Sequence, residues 1–211
     1  MVPRQVGYTG RLLALWLALL LGLLARPAAA QPFTPPGGAY LDPASQFVLP
    51  ESLGGMVRTS AFDYEQRFPG LGVSFKYQTH NPEVFADIYI FNNNRMAIPE
   101  GVDDPLVRRM FDSAIGEVRG MGEAGRYADM ALIGTDDITL GEAIGARRVL
   151  RARFSYVLPG GPVYSHIYAL AARNFFVKMR ITYRQDHATE AIPVLGRALE
   201  DLGKIVGPNL Q

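Results

Sequence analysis

The sequence predicts an α+β domain: an antiparallel sheet of about six to seven strands covered by two main helices, following an N-terminal signal peptide. Three observations predict it. Apolar residues alternate at period two in one early and one late block of the chain, two segments carry helical periodicity and stop signals, and residues 1–30 have the three-part pattern of an export signal.

The export signal comes first. Arg4 and Arg11 give a basic start, Leu12 to Ala25 an apolar run, and Ala28 and Ala30 the small residues before a cleavage point at Gln31. As a helix that run spans about 21 Å, short of a hydrocarbon core about 30 Å thick, which favours a cleaved signal over a membrane anchor. No cysteine is available for lipid attachment, and no arginine pair precedes the run. The expected destination is the periplasm or the exterior of a bacterium-like cell, with membrane contact only through the signal. The alternative is a module held at the inner membrane by an uncut helix.

Residues 31–50 hold Pro32, Pro35, Pro36, Pro43 and Pro50 with Gly37-Gly38, and read as an extended leader that docks in part through Phe33, Tyr40 and Phe47. Residues 51–211 read as one domain. Strands are expected over 56–64, 72–79 and 86–91, separated by Phe68-Pro69-Gly70 and His80-Asn81-Pro82 and closed by Asn92-Asn93-Asn94. Asp104 and Pro105 then open a helix whose apolar stripe runs from Leu106 through Met110 and Ala114 to Val118, and Gly120, Gly122 and Gly125 are expected to stop it. A short strand at 128–133, an acidic turn Thr135-Asp136-Asp137 and an edge strand at 138–140 follow. Residues 148–184 read as three consecutive antiparallel strands with one packed and one wet face. A second amphipathic helix over 189–206 tolerates Pro193 because it lies near the start, and Gly207-Pro208 ends it.

Charge and composition exclude several functions. With Arg4, Arg11 and Arg26 removed, 18 basic side chains face 20 acidic ones, so nothing global attracts nucleic acid. The absence of cysteine removes disulfides, thiolate metal sites and cysteine nucleophiles. Gly120-Met121-Gly122-Glu123-Ala124-Gly125 spells a dinucleotide fingerprint, but those glycines close a helix instead of opening one after a strand, so no nucleotide cofactor is implied. Metalloprotease, nucleophile-elbow and calcium-loop patterns do not occur, and no metal or other cofactor is called for.

Two features remain. Arg151 and Arg153 on one late strand, and Lys178, Arg180 and Arg184 on another, are expected to share the wet face, where either acidic residues of a covering segment neutralise them or they receive an anionic small molecule or an acidic protein surface. His166, within a strand between Tyr164 and Tyr168, is the histidine an alternative hydrolase reading would use, with a carboxylate brought near by folding. The segments 68–77, 87–91 and 174–183 resemble uncharacterised bacterial exported proteins with a Mog1/PsbP-like α+β fold. That resemblance implies a non-catalytic binding or assembly role in the cell envelope, and it assigns no site residue.

Overall fold

Each late strand of this chain runs ten residues or more, long enough to form the centre of a wide sheet, and the fold is built outward from them. The computed structural model describes residues 31–35, 37–141 and 146–207, so the segment expected to be an export signal and the expected helix stop at Pro208 lie outside the described residues. In chain order the strands are β1 (Gln31–Phe33), β2 (Tyr40–Leu41), β3 (Val48–Leu49), β4 (Ser52–Leu53), β5 (Met56–Asp63), β6 (Val73–His80) and β7 (Glu83–Phe91). Helix α1 (Pro105–Glu123) follows, then β8 (Ala128–Leu140), β9 (Arg147–Leu158), β10 (Gly161–Ala172), β11 (Phe175–Arg184) and helix α2 (Ala188–Val206).

Two antiparallel meanders, β5–β6–β7 and β8–β9–β10–β11, join edge to edge where β7 pairs with β11, in the order β1-β5-β6-β7-β11-β10-β9-β8. With β4 also on β5 the sheet has nine strands, more than the six to seven expected, and β2 and β3 form a separate pair. The excess arises at the start of the chain's described part, where β4 follows the leader and the leader itself is not merely extended. Its β1 adds to β5, Phe33 and Tyr40 pack on Phe75, and Phe47 and Leu49 are fully buried. Prolines at sheet edges and turns are compatible with pairing where no ladder N–H is required of them.

A second departure concerns residues 128–140, which form one continuous strand instead of two strands and an acidic turn. Asp136 and Asp137 sit opposite Arg151 and Leu150 in the β8–β9 ladder. Their carboxylates bond Arg151 and Arg148, and cross-strand ion pairing outweighs the turn tendency of an Asp-Asp doublet.

The expectation of one wet face also fails, because each face carries a helix. Helix α1, capped by the Asp104 carboxylate on the Leu106 amide at 2.7 Å, lays Val107, Phe111, Ile115 and Val118 over Leu150, Phe154, Ile167 and Phe176. Helix α2 lays Ala191, Val194, Ala198 and Leu202 over Phe75, Ile88, Met179 and Ile181. Burying each large apolar side chain contributes about 1.5–3 kcal/mol, so a sheet sealed twice needs no disulfide. Helix α1 nonetheless runs on past its last buried residue, Val118, through Gly120 and Gly122, at about 1 kcal/mol each relative to alanine, and ends only just before Gly125 takes φ +69°.

Candidate functional site

Register decides where the basic residues go. In the β10–β11 ladder Ile167 faces Arg180, and in the β9–β10 ladder it faces Ala152, so Arg180 shares the α1 face with Ile167 and Ala152. Arg151 and Arg153 face Tyr168 and His166 and therefore lie on the α2 face. The expected single basic face does not exist. The six residues separate into three places: Lys178 with Arg180, Arg151 and Arg153 with His166, and Arg184 alone at the end of β11, bonded to Asp186 and to the Gly160 carbonyl.

On the α2 face, Arg151 forms a two-pronged pair with Asp136 at 2.7 and 2.5 Å, holding the Asp136 carboxyl below the usual carboxylate range. The His166 ring lies between those of Tyr168 and Tyr183, with centroids at 6.2 and 5.6 Å, and its Nε2 shares a 3.1 Å hydrogen bond with the Tyr183 hydroxyl. Its Nδ1 is sealed from solvent without a partner. Burial, followed by the charges of Arg151 and Arg153, pushes the imidazole down to about 4, so it is neutral at physiological pH. Ser165, its neighbour in sequence, points to the other face, where it bonds Thr182 and Arg180. Among the described residues His166 is hydrogen-bonded only to the Tyr183 hydroxyl and to no serine, threonine or carboxylate, so the carboxylate that the hydrolase reading requires is not at its ring.

On the α1 face the arrangement is different, because here the basic residues border open space. A cavity of about 400 Å³ lies between α1 and the sheet, floored by Tyr89, Ile167, Lys178 and Arg180 and roofed by Val118 and Met121. The partly buried Arg180 guanidinium donates from Nε to Ser165 Oγ at 3.0 Å and from Nη2 to the Tyr156 hydroxyl at 2.9 Å. Its charge lies 5.4 Å from the centre of the Tyr127 ring, which stacks on Tyr156 at 4.2 Å. All of these partners are neutral. Among the described residues no carboxylate comes within ion-pair distance of Arg180; Asp87, opposite it in the ladder, pairs instead with Lys76 at 4.0 Å through an Oδ1 that is sealed from solvent without a hydrogen bond, and burial raises its carboxyl above the ordinary value.

Lys178 completes the floor. Its side chain is only 15% exposed, its Nζ lies 4.8 Å from the Tyr89 ring centre, and among the described residues its one carboxylate at ion-pair distance is Glu117 of α1 at 2.9 Å. An arginine held by neutral acceptors and rings beside a lysine with a single exposed counter-charge can take up an anion directly from solvent. The sequence pointed to Lys178 and Arg180 but not to Tyr89, Tyr127, Tyr156, Ser165 or Glu117. These come from five different elements or loops, and no spacing in the chain links them.

No protein-family model matches the chain, and no curated protein matches it. Among solved structures it is similar to a crystal structure of a Pseudomonas aeruginosa protein of unknown function, with 11% identity over 77% of this chain and 92% of that one and a TM-score of 0.41. Among the described residues, no cluster of three or more histidine and carboxylate side chains is placed to hold a metal ion, and no helix is long and apolar enough to cross a membrane.

Proposed function

We propose that the chain is an exported, non-catalytic binding module of the cell envelope that captures a small anionic molecule in the cleft between α1 and the sheet. The observation that carries this reading is Arg180: a permanent cation bordering a cavity of about 400 Å³, hydrogen-bonded to neutral hydroxyls alone. Aromatic walls and a few convergent polar groups around a concave space are the usual make-up of a small-molecule site. The resemblance to exported α+β proteins with binding and assembly roles agrees with it.

Calorimetric titration with a panel of small carboxylates and phosphates tests the reading. Wild-type protein is expected to bind at least one member, and Arg180→Gln to weaken that binding by about tenfold to a hundredfold, the worth of a charge-assisted hydrogen bond. An unchanged affinity in Arg180→Gln would remove the cleft from consideration. Export is tested separately by mass spectrometry of the protein from a periplasmic extract. The expected product begins at Gln31, and a chain retaining its first thirty residues in the membrane fraction would return the uncut anchor.

A further inference from the structure

Glu117 occupies an unusual place on α1. It follows Met110 and Ala114 along the stripe that faces the sheet, yet its side chain is 64% exposed and reaches inward only to bond Lys178. The ion pair spans the cleft. On one side lies the cavity of about 400 Å³ beside Arg180; on the other lies a second cavity of about 250 Å³, walled by the apolar side chains of Leu71, Phe91 and Met110 together with Asn93 and Ser113. Tyr89, Ala114, Glu117 and Lys178 border both, so the two chambers meet at the Glu117–Lys178 bridge.

The two partners of that bridge are unequal. Lys178 is largely withdrawn from water and needs an anion, whereas Glu117 is mostly solvated and gives up little on leaving, since water screens an exposed carboxylate. Glu117 satisfies Lys178 alone; no bond from it reaches Arg180. A free carboxylate seated between Lys178 and Arg180 would engage both cations. Lys76, Lys178 and Arg180 on the strands stand against Asp87 on the strands and Glu117 on α1, and an incoming monocarboxylate that takes the place of Glu117 replaces it charge for charge, leaving that balance unchanged.

Resting on the binding role proposed above, we infer that Glu117 stands in for the ligand at Lys178, and that the ligand is an elongated apolar monocarboxylate. Its head displaces Glu117 and pairs with Lys178 and Arg180. Its tail runs under the vacated bridge into the chamber of Leu71, Phe91 and Met110. Glu117 is therefore a built-in competitor that sets the affinity threshold.

Calorimetric titration of hexanoate, octanoate and decanoate, at fixed ionic strength, into the wild type, Glu117→Gln and Arg180→Gln tests this. In the wild type, affinity is expected to rise about three- to fourfold per methylene until the second chamber fills. Glu117→Gln is expected to bind each acid about three- to tenfold more tightly than the wild type. Glu117→Ala gives the same direction and guards against an effect of the new amide. Equal or weaker binding by both Glu117 variants, with binding still lost in Arg180→Gln, overturns the competitor role and leaves the anion site standing. Tighter binding of octyl phosphate than of octanoate overturns the head-group assignment. No binding of any acid by the wild type or the Glu117 variants overturns both this inference and the carboxylate site beneath it.

Discussion

Acidification from pH 7 to about 4.5 is expected to strip up to about 3 kcal/mol from the folding stability of this protein through one side chain, His166. In the fold its pKa is pushed down to about 4 from an ordinary value of 6.5, first by burial and then by Arg151 and Arg153. The unfolded chain therefore binds a proton that the folded chain refuses. The contribution is complete above pH 6.5 and is lost as pH falls from there towards 4. Asp136, Asp103 and Asp186, held low by hydrogen bonds from arginines, lose theirs only further down the scale, so they do not overlap the upper part of this window. Asp87 works in the opposite sense, because burial raises its carboxyl and protonation relieves that cost. His166→Phe keeps a flat ring between Tyr168 and Tyr183 and removes the titration. Urea unfolding at half-unit pH steps is expected to show the slope between pH 6.5 and 4.5 in the wild type and a much flatter one in His166→Phe. Equal slopes would mean that the imidazole is not held neutral by its surroundings.

Replacing Gly72 by alanine is expected to cost about 4 kcal/mol, near the top of the range for single substitutions. Gly72 has φ +60°, where an L side chain already costs about 1–2 kcal/mol, and a Cβ placed there would fall within 1.9 Å of the Ile90 carbonyl oxygen in β7. The loop cannot easily move aside. The Glu65 carboxylate accepts hydrogen bonds from the Gly70 and Gly72 amides, and the Gly70 carbonyl accepts from Asn92 and Asn93. Gly116 offers the contrast. It is exposed in the middle of α1 with nothing within 4 Å of a built Cβ, so Gly116→Ala is expected to stabilise the protein by up to about 1 kcal/mol. Thermal unfolding of the two variants beside the wild type checks both signs, and a Gly72→Ala protein melting within about two degrees of the wild type would show that the β7 backbone yields.

How far the cleft was legible follows from the same residues. Lys178 and Arg180 stand out in the sequence because they recur at period two in an otherwise apolar strand, and the structure places them together over a cavity. Arg151 and Arg153 showed the same local pattern and went to the opposite face beside His166. Glu117 gave no signal, since one acid on an amphipathic helix is ordinary until its lysine is found 61 positions away.

The sequence by itself determined the strands from β5 to β7, both helices, the cap at Asp104, the late three-stranded meander and the absence of thiol chemistry. Those depend on neighbours within a few positions, where side-chain period and backbone propensity act. Tertiary structure alone decided that the leader joins the sheet, that both faces are covered, and which face each arginine takes. Side chains alternate strictly within a strand, but the phase between two strands is set by their pairing register, and a shift of one residue exchanges the faces of every side chain along the strand. That register, placing Arg180 opposite Ile167 and Arg153 opposite His166, separates the cleft under α1 from the buried histidine under α2.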